Sequence, residues 1–95
     1  MRRLAVEFVT GELDRGVEAV EVAVVYRDEV NDVRDQKTFR LGAKSRAEWQ
    51  VPLKDASLRS YEMTTTWIRE DGFNPKVGPA MKSDTYVVIP GAPPR

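Results

Sequence analysis

From Val17 to Arg27 the chain keeps a period of two: Val20, Val22, Val24 and Tyr26 fall on one side, Ala19, Glu21, Ala23, Val25 and Arg27 on the other. Strict alternation of large apolar side chains defines a strand, because a helix would scatter the same positions around its axis. Ala23 and Val25 predict that the second side is partly covered as well. A strand this long needs pairing partners and something to bury its apolar face against.

The nearest partner follows directly. Asn31-Asp32 is the two-residue turn signal, and placing it at the centre of a tight hairpin sets Val24 opposite Phe39, Val22 opposite Leu41 and Tyr26 opposite Lys37. Directly opposed residues share a face, so the apolar sets of 17–27 and 33–41 coincide, whereas a slip of one residue would separate them. The charged segment from Arg27 to Lys37 is expected to project into solvent.

The remaining strands read the same way. Leu4, Val6 and Phe8 alternate with Ala5, Glu7 and Val9, giving a strand over 4–9, and Gly11 to Gly16 is a loop. Trp49 and Val51 share one face of a strand over 47–51, which Pro52 ends because proline cannot donate to a ladder. Residues 53–60 form a corner with room for one helical turn. Tyr61, Met63, Thr65 and Trp67 line one face of a strand stopped by Asp71-Gly72, and 73–79, with two prolines and a glycine, reads as irregular. Residues 85–89 form the last strand, with either Val87 and Ile89 or Tyr86 and Val88 inward. These readings predict one domain over 1–89, an all-β, two-sheet antiparallel β-sandwich of six or seven strands, followed by a Pro-rich tail or linker at 90–95.

Composition narrows the chemistry. Fifteen Lys plus Arg balance fifteen Asp plus Glu, so no basic excess exists to neutralise phosphates and no nucleic-acid partner is expected. With neither cysteine nor histidine, thiolate nucleophiles, Cys/His zinc sites and the usual general base near neutral pH are excluded. No apolar run approaches the ~20 residues that cross a bilayer, so no membrane partner is expected. Met1-Arg2-Arg3-Leu-Ala-Val is not read as a signal peptide, since Glu7 interrupts its apolar run. The compartment stays open between the cytoplasm and a larger secreted assembly.

Leu53 and Leu58, then Tyr61 opening a strand that runs to Asp71-Gly72, resemble the corner and sixth strand of a fibronectin type III or immunoglobulin-like sandwich. The resemblance implies that 47–51 crosses to the other sheet, that 61–69 and 84–89 return, and that the Tyr61 hydroxyl bonds backbone a few residues upstream. It also makes 17–27 the third strand and 33–41 its partner, yet only one strand, 4–9, precedes them where that family has two, implying a short second sheet or one completed by a neighbour. The pattern Val-Glu-Val, Tyr, Trp-x-Val-Pro-Leu, Tyr, Asp-Gly also resembles accessory modules of large bacterial assemblies.

Asp28, Glu29, Asn31, Asp32 and Asp35 crowd the hairpin tip, a set that could offer oxygen to calcium, but Arg27 and Arg34 interleave and no EF-hand spacing is present. The tip reads as solvated and self-paired. Strand parity sends Trp49, Trp67 and Tyr61 to the core, leaving Phe73 and Tyr86 as aromatics available to a partner. The carboxylate pairs Glu7 with Glu21 and Glu62 with Glu70 read as surface charges. No metal, cofactor or catalytic set is expected. Interaction candidates are Asp28, Glu29, Asn31, Asp32, Phe73 and Tyr86, on a non-enzymatic structural or protein–protein interaction module that docks a strand edge or hairpin, or associates with itself. Carbohydrate binding through exposed aromatics is the alternative; it requires at least two of Phe73, Tyr86, Trp49 and Trp67 to be coplanar and open to solvent.

Overall fold

The computed structural model describes residues 2–93 and contains seven strands: β1 (Arg3–Thr10), β2 (Val17–Asp28), β3 (Val33–Leu41), β4 (Arg46–Pro52), β5 (Tyr61–Arg69), β6 (Lys76–Lys82) and β7 (Tyr86–Ile89). They form two sheets, ordered β4-β1-β7 and β3-β2-β5-β6, with no helix among the described residues. This is the all-β two-sheet sandwich expected from the alternation. The chain crosses between sheets at β4 and returns at β5, as expected, but 84–89 does not return with it: β7 stays in the sheet of β4, beside β1. One pairing departs from the antiparallel expectation: β7 runs parallel to β1, with Glu7 beside Tyr86 and Val9 beside Val88.

The core lies where the alternating faces meet. Leu4, Val6 and Phe8 of β1 and Trp49 and Val51 of β4 are buried against Val20, Val22, Val24 and Tyr26 of β2 and Tyr61, Met63 and Trp67 of β5. Each such side chain contributes about 1.5–3 kcal/mol of burial, so these faces set the sheet assignment. An aromatic cluster crosses the gap: the Phe8 ring stands 5.8 Å from Phe39 and 6.4 Å from Tyr61, and Tyr61 meets Trp49 edge-on at 5.5 Å. On β7 it is Ile89 that is buried and Val87 half-buried, while Tyr86 and Val88 face outward, which resolves the open parity.

Three expectations are corrected. The β2–β3 register is shifted by two residues, with Val22 opposite Phe39, Val20 opposite Leu41 and Val24 opposite Lys37. The turn therefore holds Glu29 to Asp32 in place of a two-residue Asn-Asp turn, which would need positive φ at both central positions. Only Asp32 takes that conformation, at φ 55°. Its amide donates to the Glu29 carbonyl at 3.3 Å, and the Asp28 carboxylate accepts from both the amide and the Nδ2 of Asn31. A two-residue shift preserves side-chain parity, so the core faces still coincide.

Residues 76–82, read in part as irregular, form the edge strand β6. Pro79 survives there because an edge strand needs ladder donors on one side only. Gly78 and Pro79 bulge opposite Thr64, and Gly78 has φ 114° with no room for a Cβ, which would fall 2.6 Å from the Met63 carbonyl.

The expected upstream bond from Tyr61 is absent. Its hydroxyl donates to the Asp84 carbonyl at 2.7 Å, and it is the Tyr26 hydroxyl that reaches the corner, donating to Leu58 O at 2.9 Å. Burial pushes the Tyr26 hydroxyl pKa above its ordinary value, with the Asp28 and Asp55 carboxylates adding to the rise. The corner itself is a turn and not a helical one.

Candidate functional site

The two sides of the sandwich are built differently. On the β3/β4 side the gap between sheets is bridged: Trp49 Nε1 on β4 donates to Asp35 Oδ1 on β3 at 3.0 Å. The β3–β4 connection is fastened to the end of β1, where Thr10 Oγ1 donates to Gly42 O at 2.6 Å and accepts from the Ser45 amide at 2.9 Å.

On the other side, β5 reaches across to hold β7. Tyr61 takes the Asp84 carbonyl just before β7, and Trp67 Nε1 donates to the Pro90 carbonyl just after it at 2.9 Å. Those two bonds set β7 opposite β5. Burial, with Asp84 close by, pushes the Tyr61 hydroxyl pKa up to about 12. The tail begins tied down as well, since Gly91 O accepts from the Asp14 amide and Gly91 packs against the Glu12 carbonyl.

Because β7 lies opposite β5, the fourth strand of the larger sheet, β6, overhangs with no strand facing it. Pairing with β5 turns Val77, Ala80 and Lys82 toward the interior face, and there they meet open space. The result is a groove of about 190 Å³ whose lining includes Met63, Thr65, Val77, Ala80, Lys82 and Val87. Lys82 is the only charged residue on it, and none of the ion pairs among the described residues includes Lys82.

Val88, 63% exposed, borders this groove, while Tyr86 at 60% and Met81 at 64% stand on the outer faces of β7 and β6. The four sheet edges differ in composition. β3 carries Arg34, Asp35, Lys37 and Arg40, β4 carries Arg46, Glu48 and a terminal proline, and β6 carries two lysines and Pro79. Charges and prolines on an edge discourage pairing with another chain. β7, Tyr-Val-Val-Ile, has neither.

Its backbone completes the site. Glu7 N donates to Thr85 O at 2.9 Å, so alternation turns the peptide groups of Val87 and Ile89 toward β1 and those of Tyr86 and Val88 toward the free edge.

The sequence candidates separate on this structure. Asp28 is buried and spends its carboxylate on Asn31, which makes it a strut of the turn and not a contact surface. Glu29 and Asp32 are exposed around Val30, which at 94% exposure forms the apex. No group of three or more acidic residues among the described residues is arranged to hold a metal ion.

Phe73 is 70% exposed. Its amide donates to Asp71 Oδ1 at 2.9 Å, and chiefly that bond, assisted by Arg69, holds the Asp71 carboxyl below the usual carboxylate range. Phe73 and Tyr86 are not brought together. Tyr86 lies near the Tyr61 end of β5 and Phe73 beyond the Trp67 end, and those two β5 residues are about 20 Å apart at ~3.3 Å per residue. With both tryptophans buried, two of the four aromatics that a sugar platform draws on are withdrawn and the other two do not share a face.

The carboxylate pairs separate too. Glu7 lies on the outer face of one sheet beside Arg46 and Glu21 on the outer face of the other beside Arg40, while Glu62 pairs with Arg27 at 3.3 Å. Sequence reasoning missed Val77, which falls in the stretch read as irregular, and Ala80 and Lys82, which were assigned to no strand. The absence of any charge from Thr85 to Ile89 was the signal available for the edge itself. Comparisons with family models, curated proteins and solved structures find no match to this chain.

Proposed function

We propose that this domain is a non-enzymatic protein–protein interaction module that docks a partner along the edge of β7. The observation that carries the reading is the edge composition: of the four sheet edges, β7 alone lacks charge and proline, and it borders an apolar groove. Soluble sandwiches blunt their edges, so an unguarded one carrying exposed Tyr86 and Val88 fits a surface that a partner covers. The hairpin tip is a weaker docking element, since Asp28 is internal and Glu29 and Asp32 are hydrated charges. The finer kinship with immunoglobulin-like or fibronectin type III modules is supported by the two-sheet division and the crossing at β4, and a role as an accessory module of a larger assembly agrees with it.

The test is site-specific photo-crosslinking in extracts of cells that make the protein, with the photoreactive residue at position 88 or, as the control, at 36 on β3. Discrete protein adducts from position 88 alone are expected. Identical adduct patterns from both positions would contradict the reading.

A further inference from the structure

We infer that the occupant of the β7 edge is a single extended segment of another protein, apolar at alternate positions and carrying a carboxylate, which enters as the fourth strand of the β4-β1-β7 sheet. The inference rests on the docking reading above and specifies what docks.

Three observations carry it. First, the smaller sheet is one strand short of the larger, and the shortfall is opposite β6. A strand laid beside β7 would find free peptide groups at Tyr86 and Val88. It would also cover Met63, Val77 and Ala80 with every second side chain.

Second, the slot is one strand wide, which excludes a second folded copy using the same edge. Two β7 strands paired antiparallel, with opposed residues on a common face, bring both larger sheets to the same side. The β5 and β6 of the second copy would then occupy the space where β6 already overhangs. A segment arriving without its own covering sheet meets no such obstacle.

Third, Lys82 is directed at the slot, with no acidic residue on the groove lining. Its ammonium favours a segment with a carboxylate at that end and disfavours a basic one. The outer edge of β6 offers no competing site, because the Gly78-Pro79 bulge and its lysines interrupt it.

The experiment uses the whole chain and three short peptides, acetylated and C-terminally amidated so that only the last side chain differs in charge, followed by residue-resolved amide spectra and exchange. One alternates valine and threonine and ends in glutamate, the second has the same composition with its valines grouped, and the third ends in lysine. The first is expected to slow exchange of the Tyr86 and Val88 amides and to shift the Trp67 indole signal, and the grouped peptide to leave them unchanged. The lysine peptide should bind about threefold more weakly, the scale of one partly exposed charge pair, and Lys82→Glu should reverse that preference. Val88→Pro removes an outward-facing donor that β1 does not use and is expected to abolish binding; if it fails to fold, the Lys82→Glu reversal carries the test. Equal binding of the grouped peptide, or no protection at Tyr86 and Val88, would overturn the inference. Should crosslinks from position 88 persist while the peptides fail, the edge docks something other than a strand; failure of both removes the docking reading as well.

Discussion

The β3/β4 side and the β6/β7 side of this sandwich solve the same problem in different ways. Both must end a pair of sheets in water without leaving the core open. On the β3/β4 side a tryptophan indole bonds an aspartate across the gap, and charged residues occupy both edges. On the β6/β7 side two aromatics of β5 hold the ends of β7 through backbone carbonyls, and the space under β6 is left unfilled. An edge can be made stable without being closed. Tyr61 and Trp67 provide stability here, while the absence of charge on β7 leaves it able to pair.

The comparison sharpens first at the tryptophans. Trp67→Ala removes a buried indole and the bond that fixes Pro90, and is expected to cost about 3–5 kcal/mol in urea denaturation, as large aromatic truncations do. Trp67→Phe should cost far less yet loosen β7 selectively, which faster exchange at Ile89 would report. Equal loosening of β3 and β7 by Trp67→Phe would break the distinction between the two sides.

Next in size is Asp28→Ala, which strips the β2–β3 turn of its buried acceptor and should destabilise by about 1–3 kcal/mol. Denaturant midpoints would measure this, and a neutral result would return Asp28 to the surface. Tyr61→Phe follows at about 1 kcal/mol, from the loss of one hydrogen bond.

Tyr61 also sets a pH dependence. Its folded pKa, about 12, lies above the ordinary value of 10.0, so the folded state holds this proton more tightly than the unfolded chain. The stability so gained is complete below pH 10 and is lost as pH rises from about 10 toward 12. Tyr61→Phe should flatten the alkaline limb of the stability profile, with the raised Tyr26 keeping part of it. The smallest effect is expected from Phe73→Ser, within about 0.5 kcal/mol, because a ring this exposed contributes little to the fold.

How much of this was legible in the sequence depended on how local the signal was. Alternation in 4–9, 17–27, 47–51 and 61–69 is a property of each segment, and it sent Trp49, Trp67, Tyr61 and Tyr26 to the core where they lie. The hairpin register needed the identity of the turn, and the Asp28 side chain chose a four-residue turn that periodicity does not see. β6 was obscured because two prolines and a glycine are breakers everywhere except on an edge. The partner of the Tyr61 hydroxyl and the parallel β1–β7 pairing are long-range facts that no local pattern encodes. The candidate site was legible in fragments: Tyr86 was singled out by its ambiguous phase, while Val77, Ala80 and Lys82 become a surface only once β6 exists.

The most direct test of an open β7 edge is residue-resolved amide exchange on the free protein. Val87 and Ile89, bonded to β1, are predicted to exchange slowly, and Tyr86 and Val88, between and beside them, at the rate of exposed backbone. Uniform protection along β7 in the isolated chain would mean that the edge is already paired, and would contradict the account.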